Sequence, residues 1–297
     1  MKSLKIWVLT QLNNSTTSTS ILKAALSKGH DAKIVSPLKL NLLLKNSSTS
    51  ENSIYLEGKK ISDLPDLVLT RMGSVTPDIA LHSLQQLENL GIKCINSLES
   101  LYLARKKFLS LQILQQNGIQ IPATALLSID TEFSDIIEQI PGPPWILKLP
   151  QGTKGTGVMK VDSVSSLKSC VEALHSLNSI VLLQEFIPLK KVCDLRFLVV
   201  RGECLGAVRR IAKEGDFRSN LFQGGKSEAF NPSKEMLEIA IKATKALKLE
   251  IAGVDILESD QGPIVIEVNS SPGINGIEAS CDKNVSHKII DSVLSFT

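Results

Sequence analysis

The sequence predicts an α/β protein built of α+β lobes, and three observations carry that prediction. The first hundred residues alternate strand and helix signals, an order that implies a small parallel sheet of βαβ units. A glycine-rich loop between two apolar strand runs follows near the middle of the chain. The last third holds two successive hairpin patterns, the second with acids set inside its apolar runs.

Composition narrows the function. At 297 residues the chain can form two or three compact units with a large core. Apolar residues make up 43% and charged residues 21%, an ordinary balance for a soluble globular protein. Nothing approaches the run of about 18 apolar residues that a membrane span needs. Ile6-Trp7-Val8-Leu9 is too short for a signal peptide and reads as a first strand, so a cytoplasmic location without membrane contact is expected. The net charge is +3 with no polybasic tract, which argues against direct nucleic-acid binding and leaves room for a locally basic pocket. Five cysteines, odd in number and without C-x-x-C spacing, read as cytosolic thiols and not as a disulfide framework or zinc site.

In order, Lys5 to Thr10 forms a strand, and a helix with Ile21, Ala25 and Leu26 on one side ends at Gly29. Ala32 to Val35 and Leu67 to Thr70 are further strands, the latter running into Arg71-Met72-Gly73. Pro77 opens a helix with Leu81, Leu84 and Leu87 at helical spacing, and Cys94-Ile95 gives a fourth strand. No G-x-G-x-x-G follows the first strand, so a dinucleotide site is not supported. A helix is predicted from Leu103 to Asn117, with Arg105, Lys106 and Lys107 in its first turns. Cations there oppose the helix dipole, which leaves two readings open: an anion-binding task, or a solvated basic turn.

After a strand at Thr124 to Ser128 and a helix, the rigid turn Pro141-Gly142-Pro143-Pro144 leads into Trp145-Ile146-Leu147-Lys148-Leu149 and then QGTKGTGV. Strand, glycine loop, strand is a geometry in which backbone N–H groups can close over phosphates, although an ordinary hairpin is the commoner meaning of such a loop. Lys148 lies on the strand entering it, where a buried cation needs an anion. A helix from Val164 to Asn178 and an apolar strand at Ile180 to Leu183 follow, ending in Gln184-Glu185-Phe186-Ile187-Pro188. Asp194 to Val200 and Glu203 to Arg210 form a hairpin about Arg201-Gly202, which delivers Arg209 and Arg210 into a charged loop with Lys213 and Arg218. Arginines so clustered can clamp carboxylates or phosphates, while a solvated loop is the default.

The acidic hairpin is the sharpest signal. Ile251 to Leu257 and Pro263 to Val268 are joined by Asp260-Gln261-Gly262, with Asp255 inside one strand and Glu267 inside the other. Side chains alternate along a strand, so Glu267 and Asn269 share a face and pairing brings Asp255 beside Glu267. Two carboxylates about 4 Å apart repel by roughly 4 kcal/mol at an effective dielectric near 20. A proton or cation must intervene, and an all-oxygen set suits Mg²⁺ or Mn²⁺. A helix at Lys234 to Leu247 and a last one near Val285 to Phe296 complete the reading.

RIAKEGDFRSN (Arg210 to Asn220), IAGVDIL (Ile251 to Leu257), EVNSSPGINGIE (Glu267 to Glu278), Lys148 with its glycine loop and the 184–187 segment together resemble the RimK-type ATP-grasp ligases over nearly the whole chain. The resemblance implies an ATP-grasp fold with an N-terminal parallel pre-ATP-grasp domain at 1–100, a small lobe at 101–183 carrying a flap, and a large lobe at 184–297 carrying a metal site. It implies Lys107 and Lys148 on the α- and β-phosphates, with the 151–158 flap and its Gly155 closing over them. Adenine would lie against Gln184, Glu185, Phe186 and Ile187, with Asp194 toward the nucleoside and Arg218, Ser219 and Asn220 lining the nucleotide side. Asp255, Glu267 and Asn269 would hold two Mg²⁺ or Mn²⁺, and Arg210 would stabilise the transferring phosphoryl group. Glutamate and an oligoglutamate acceptor bring several carboxylates, so the substrate side must be strongly basic, and Arg71, Arg210 and Lys213 are the candidates to bind them. The activity implied is ATP-dependent addition of L-glutamate to a peptide C-terminus, of a small-subunit ribosomal protein or of oligoglutamate, by a homo-oligomeric enzyme. A small-molecule ligase of the same fold and a catalytically silent nucleotide-binding regulator are the alternatives. Lys106 stands where that family has an acid, and Phe186 where it has Tyr.

Overall fold

The computed structural model describes residues 3–11, 15–46, 52–73, 76–129, 131–150, 156–189, 191–213, 226–281 and 284–295. In the N-terminal part, β1 (Lys5–Leu9), α1 (Thr16–Ser27), β2 (Asp31–Val35), β3 (Leu40–Leu43), β4 (Ser53–Leu56), β5 (Lys59–Lys60), β6 (Leu67–Thr70), α2 (Asp78–Asn89) and β7 (Lys93–Ile95) follow one another. Strands β2, β1, β6 and β7 form the predicted parallel sheet in that order. Both its faces are covered, which is why β1 is apolar from Ile6 to Leu9. Ile6 and Val8 meet α1, and Trp7 and Leu9 meet α2. The antiparallel sheet of β3, β4 and β5 was not foreseen.

Helix α1 starts where the Ser15 hydroxyl accepts from the Ser18 N–H, satisfying one orphan donor of the first turn. Its buried stripe is Ile21, Ala24 and Ala25, whereas Leu26, expected on that side, is half exposed. The single helix predicted over 103–117 is two: α3 (Leu98–Arg105), capped by Ser97, and α4 (Lys107–Gln116), with Lys106 extended between them. The break moves Arg105 to a helix C-terminus, where a cation is favoured, and leaves Lys107 as the first residue of a new helix.

The small lobe contains β8 (Thr124–Leu127), α5 (Ser134–Gln139), β9 (Trp145–Lys148), β10 (Val158–Val161), α6 (Val164–Ser176) and β11 (Val181–Glu185). Its antiparallel sheet runs β10-β9-β11-β8, and Leu127, Trp145, Leu147, Leu167, Val171 and Leu183 form a core of its own.

The remaining elements are β12 (Cys193–Val200), β13 (Glu203–Ile211), β14 (Lys226–Ala229), α7 (Lys234–Ala246), β15 (Ile251–Ser259), β16 (Gly262–Asn269), α8 (Asn275–Cys281) and α9 (Val285–Leu294). Their antiparallel sheet has the order β14-β13-β12-β15-β16. Phe197, Val199, Ala252 and Val254 pack one face against α4 and α7. On the other face Leu198, Val200, Val208 and Ile251 join Ile6, Val8, α1 and α9 in one continuous core. The N-terminal sheet and the large lobe are therefore a single packed body. Asn96 rivets them: its amide donates to the carbonyls of Ile251 (2.7 Å) and Ser270 (2.9 Å), and its oxygen accepts from the N–H groups of Glu250 and Ile251. No helix among the described residues is long and apolar enough to cross a membrane.

Candidate active site

The apolar part of that second face of the large sheet stops short of one end, where charged side chains take over. The register explains why. Asp194 lies opposite Arg210, and two residues along β12 on the same face Arg196 lies opposite Asp255, itself opposite Glu267. Four neighbouring strands thus gather these residues from two adjacent cross-strand lines into one charged row. The predicted meeting of Asp255 with Glu267 is thus present, with a bulge beside Asp255.

The row is densely paired. Arg210 donates through Nε and Nη2 to the two oxygens of Asp194, at 2.5 and 2.6 Å, and its Nη2 also reaches Asp255 Oδ2 at 3.0 Å. Arg196 donates Nε to Asp255 Oδ1 and Nη2 to Oδ2, the latter at 2.7 Å. Asn269 Nδ2 approaches the same Oδ2 at 3.4 Å. Burial opposes the charge on Asp255, yet Arg196 and Arg210 outweigh it and hold the carboxyl below the usual range. Burial likewise opposes the charge on Arg210, and Asp255 and Asp194 reverse the effect and raise it. Asp194, expected toward the nucleoside, enters the site as the anchor of Arg210. Glu267 is exposed at the edge of the row.

Gly253 makes the row possible. A Cβ there would clash with Pro272 Cβ at 2.7 Å and crowd Arg196 Nη1 at 3.1 Å, so glycine lets Pro272 and the guanidinium both pack close over β15.

The small lobe faces this row with its own cation. Trp145 and Leu147 point into the lobe's core, so Lys148, one residue on, takes the opposite face of β9. Its Nζ donates to Gln184 Oε1 at 2.5 Å, while Gln184 Nε2 donates to Thr124 Oγ1 at 2.8 Å. Gln184 thus holds Lys148 through its side chain. Burial depresses the Lys148 pKa; Glu267 and Asp255 partly restore it, and the nearby Lys107 depresses it further. These four groups therefore share one electrostatic neighbourhood across the lobes. Gly157 closes the base of the flap: its φ is +74°, a Cβ would strike Leu149, and its carbonyl accepts from the Leu149 N–H at 2.9 Å.

In the 184–187 segment, expected as the hinge between the lobes, Glu185 N–H donates to the Ala123 carbonyl, and its carboxylate accepts from the Ala123 N–H at 3.1 Å. Phe186 carries Lys160 Nζ over its ring at 5.1 Å, and Ile187 is buried. Lys213 is exposed just beyond β13. Gly155, Arg218, Ser219 and Asn220 lie outside the described residues. Arg209 faces away from Arg210, onto Phe230 and toward Glu228 and Glu258.

Arg71 comes from the N-terminal body. It follows β6, its side chain is buried, and its Nη2 donates to the Pro272 carbonyl at 2.6 Å while its Nε has no hydrogen-bond partner. No carboxylate among the described residues pairs with it, and burial alone pulls its pKa down to about 10.

The acids fit a hard divalent cation in chemistry. Asp255, Glu267 and the amide of Asn269 are oxygen donors on adjacent strands, and the described residues hold no cluster of three His, Cys, Asp or Glu. Such a set leaves a shell to be completed by phosphate oxygens and water, as Mg²⁺ sites commonly are. Sequence reading missed Arg196; the only signal was its place two residues after Asp194, on the same strand face.

Comparison with known proteins identifies the chain's relatives. The RimK PreATP-grasp domain matches residues 4–101 and the RimK-like ATP-grasp domain residues 104–293. A ribosomal protein bS6–L-glutamate ligase of Escherichia coli O139:H28 is 36% identical over 287 residues, covering 97% of this chain and 94% of that protein. A probable alpha-L-glutamate ligase of Klebsiella pneumoniae (strain 342) is 37% identical over the same coverage. The crystal structure of a RimK domain ATP-grasp protein from Sphaerobacter thermophilus superposes with a TM-score of 0.75 at 20% identity, covering 98% of this chain and 99% of that one.

Proposed function

Because this chain belongs to the RimK family of ATP-grasp ligases, we propose that it uses ATP and divalent cations to add L-glutamate to a peptide C-terminus. The observation that supports an acidic substrate is Arg71, a buried guanidinium beside the charged row with no acid partner among the described residues. A substrate carboxylate supplies the missing partner, and Lys213 is a second candidate at the exposed rim.

In this reading Lys148, set by Gln184, and Lys107, at the first turn of α4, hold the phosphates of ATP. The hinge at 185–187 receives the adenine, and the stem at Leu149 and Gly157 anchors the flap. The acceptor carboxylate oxygen attacks the γ-phosphorus and ADP leaves, giving an acyl phosphate. The amine nitrogen then attacks the acyl carbon, loses a proton and expels phosphate. Arg210 offers its guanidinium to the charge that develops on the transferring group. Asp255, Glu267 and Asn269 would hold Mg²⁺ or Mn²⁺, which neutralises phosphate charge when bound.

The test is phosphate release from ATP with glutamate and a panel of acceptors: a peptide ending like the ribosomal protein tail, oligoglutamate and small carboxylic acids. Release that depends on both glutamate and a peptide-type acceptor is expected, and Glu267→Gln should abolish it in a folded protein. Release with small acids alone would move the protein to small-molecule ligation. No glutamate dependence at all would refute the reading.

A further inference from the structure

The two arginines on Asp255 are held unequally. Arg196 grips both carboxylate oxygens, lies in the space that Gly253 leaves, and forms no other ion pair among the described residues. Arg210 touches Asp255 once, at 3.0 Å, and is chelated by Asp194 through two shorter bonds. Removing Arg210 from Asp255 therefore leaves it anchored, whereas removing Arg196 leaves a buried cation without an acid. Bidentate arginine–carboxylate pairs are the stronger kind.

Asp255 Oδ2 is also overfilled. Arg196 Nη2, Arg210 Nη2 and Asn269 Nδ2 all approach it, although a carboxylate oxygen has only two lone pairs. A cation shared with Asn269 has to come to this oxygen, because it is the one beside that amide. Something must leave, and the amide must turn to offer Oδ1.

We propose that Arg210 is the exchangeable partner and Arg196 the permanent clamp. A divalent cation at Asp255 displaces Arg210, which swings about its Asp194 anchor toward the transferring group, while Arg196 keeps the carboxylate oriented. Arg196 is thus a positioning residue, and the catalytic arginine is withheld until the cation is loaded. The inference rests on the cation-and-nucleotide reading of the site.

Binding of Mn²⁺ alone, followed by electron paramagnetic resonance on the full chain without nucleotide, tests it. Arg210→Gln removes the competitor and is expected to bind Mn²⁺ about tenfold more tightly than the parent, equivalent to about 1.4 kcal/mol. Arg196→Lys keeps the charge but loses the two-point grip, so it is expected to bind several-fold more weakly. A plain charge effect would leave Arg196→Lys unchanged. Unchanged or weaker binding by Arg210→Gln overturns the exchange, and so does tighter binding by Arg196→Lys. Parent-like binding by Asp255→Asn overturns it as well, by taking the cation away from Asp255. Should Arg210→Gln fail to fold, Arg210→Lys replaces it, since one amine cannot serve both acids and tighter binding is again expected. These measurements are independent of turnover. A parent enzyme that ligates glutamate while Arg210→Gln binds Mn²⁺ unchanged would sink the exchange and spare the ligase.

Discussion

Arg71 and Arg210 are equally buried, each 8% exposed, and electrostatically opposite. Two acids surround Arg210 and raise its pKa; Arg71 has no acid partner among the described residues, and burial lowers its pKa to about 10. The difference shows that depth does not decide what a buried charge costs; the partner does. Arg210 is completed by the fold itself, through strand register. Arg71 has no acid partner among the described residues, and in the proposed function that gap is where an acidic ligand docks. The large lobe carries its own neutralised machinery, while the N-terminal body contributes a vacancy of charge.

The largest expected effect is on stability, where the two arginines should part. Arg210→Met removes the two-point partner of the buried Asp194, and breaking such a pair costs about 3–5 kcal/mol. Arg71→Met removes a charge that the fold disfavours. Because the folded-state pKa lies below its ordinary value, the protonated form destabilises the protein at neutral pH, and the penalty fades only as pH rises beyond about 10. Its removal should leave stability unchanged or raise it, by at most on the order of 3 kcal/mol. Urea unfolding of both variants measures this. Equal losses would erase the comparison.

Kinetics sharpen it at a smaller scale. A charge-assisted contact is worth about 1.5–3 kcal/mol, so Arg71→Ala should raise the KM for glutamate or the acceptor by roughly tenfold or more. Nucleotide affinity should hold, because Lys148, Gln184 and the hinge lie on the other lobe. Arg210→Ala should instead depress kcat, since its partner charge develops only during transfer. Steady-state rates with ATP and glutamate varied separately, beside direct nucleotide binding, distinguish the two. An Arg71→Ala effect confined to ATP would remove the N-terminal body from the substrate site.

Much of this was readable from local signals. The short turn at Asp260-Gln261-Gly262 made the hairpin itself readable, but its register alone would set Asp255 opposite Ile266; the bulge after Asp255 shifts the partner to Glu267. Lys148 was visible as a cation ending an apolar strand. Arg196 was not, because its meeting with Asp255 depends on β12 lying beside β15, a pairing 59 residues apart that no turn specifies. The break at Lys106 has no proline or glycine to announce it; Ser97 capping an earlier helix start was the overlooked signal. The sheet of β3, β4 and β5 flanks a Ser/Asn-rich stretch whose composition hides the strands. Arg71 could be named from its place at a strand end, but its lack of an acid partner among the described residues exists only in three dimensions.

The smallest effect, and the one that isolates Arg71, is in pH. In the free protein burial holds its pKa near about 10. A bound carboxylate favours the charged guanidinium and raises that value. Below about pH 10 the group is charged with or without ligand, so it adds no pH dependence to binding. Above it the free protein has lost the proton and the complex keeps it, so binding takes up a proton and weakens by up to about tenfold per pH unit. Glutarate suits the measurement, since its two carboxylates stay ionised throughout and it has no amine to titrate. Calorimetry across this range, in buffers of different ionisation enthalpy, should show proton uptake by the parent and none attributable to this site in Arg71→Met. A parent profile that matches the variant's would mean the ligand's carboxylate does not meet Arg71. The guanidinium would then be a cost the fold carries without return, and its resemblance to Arg210 would end at burial.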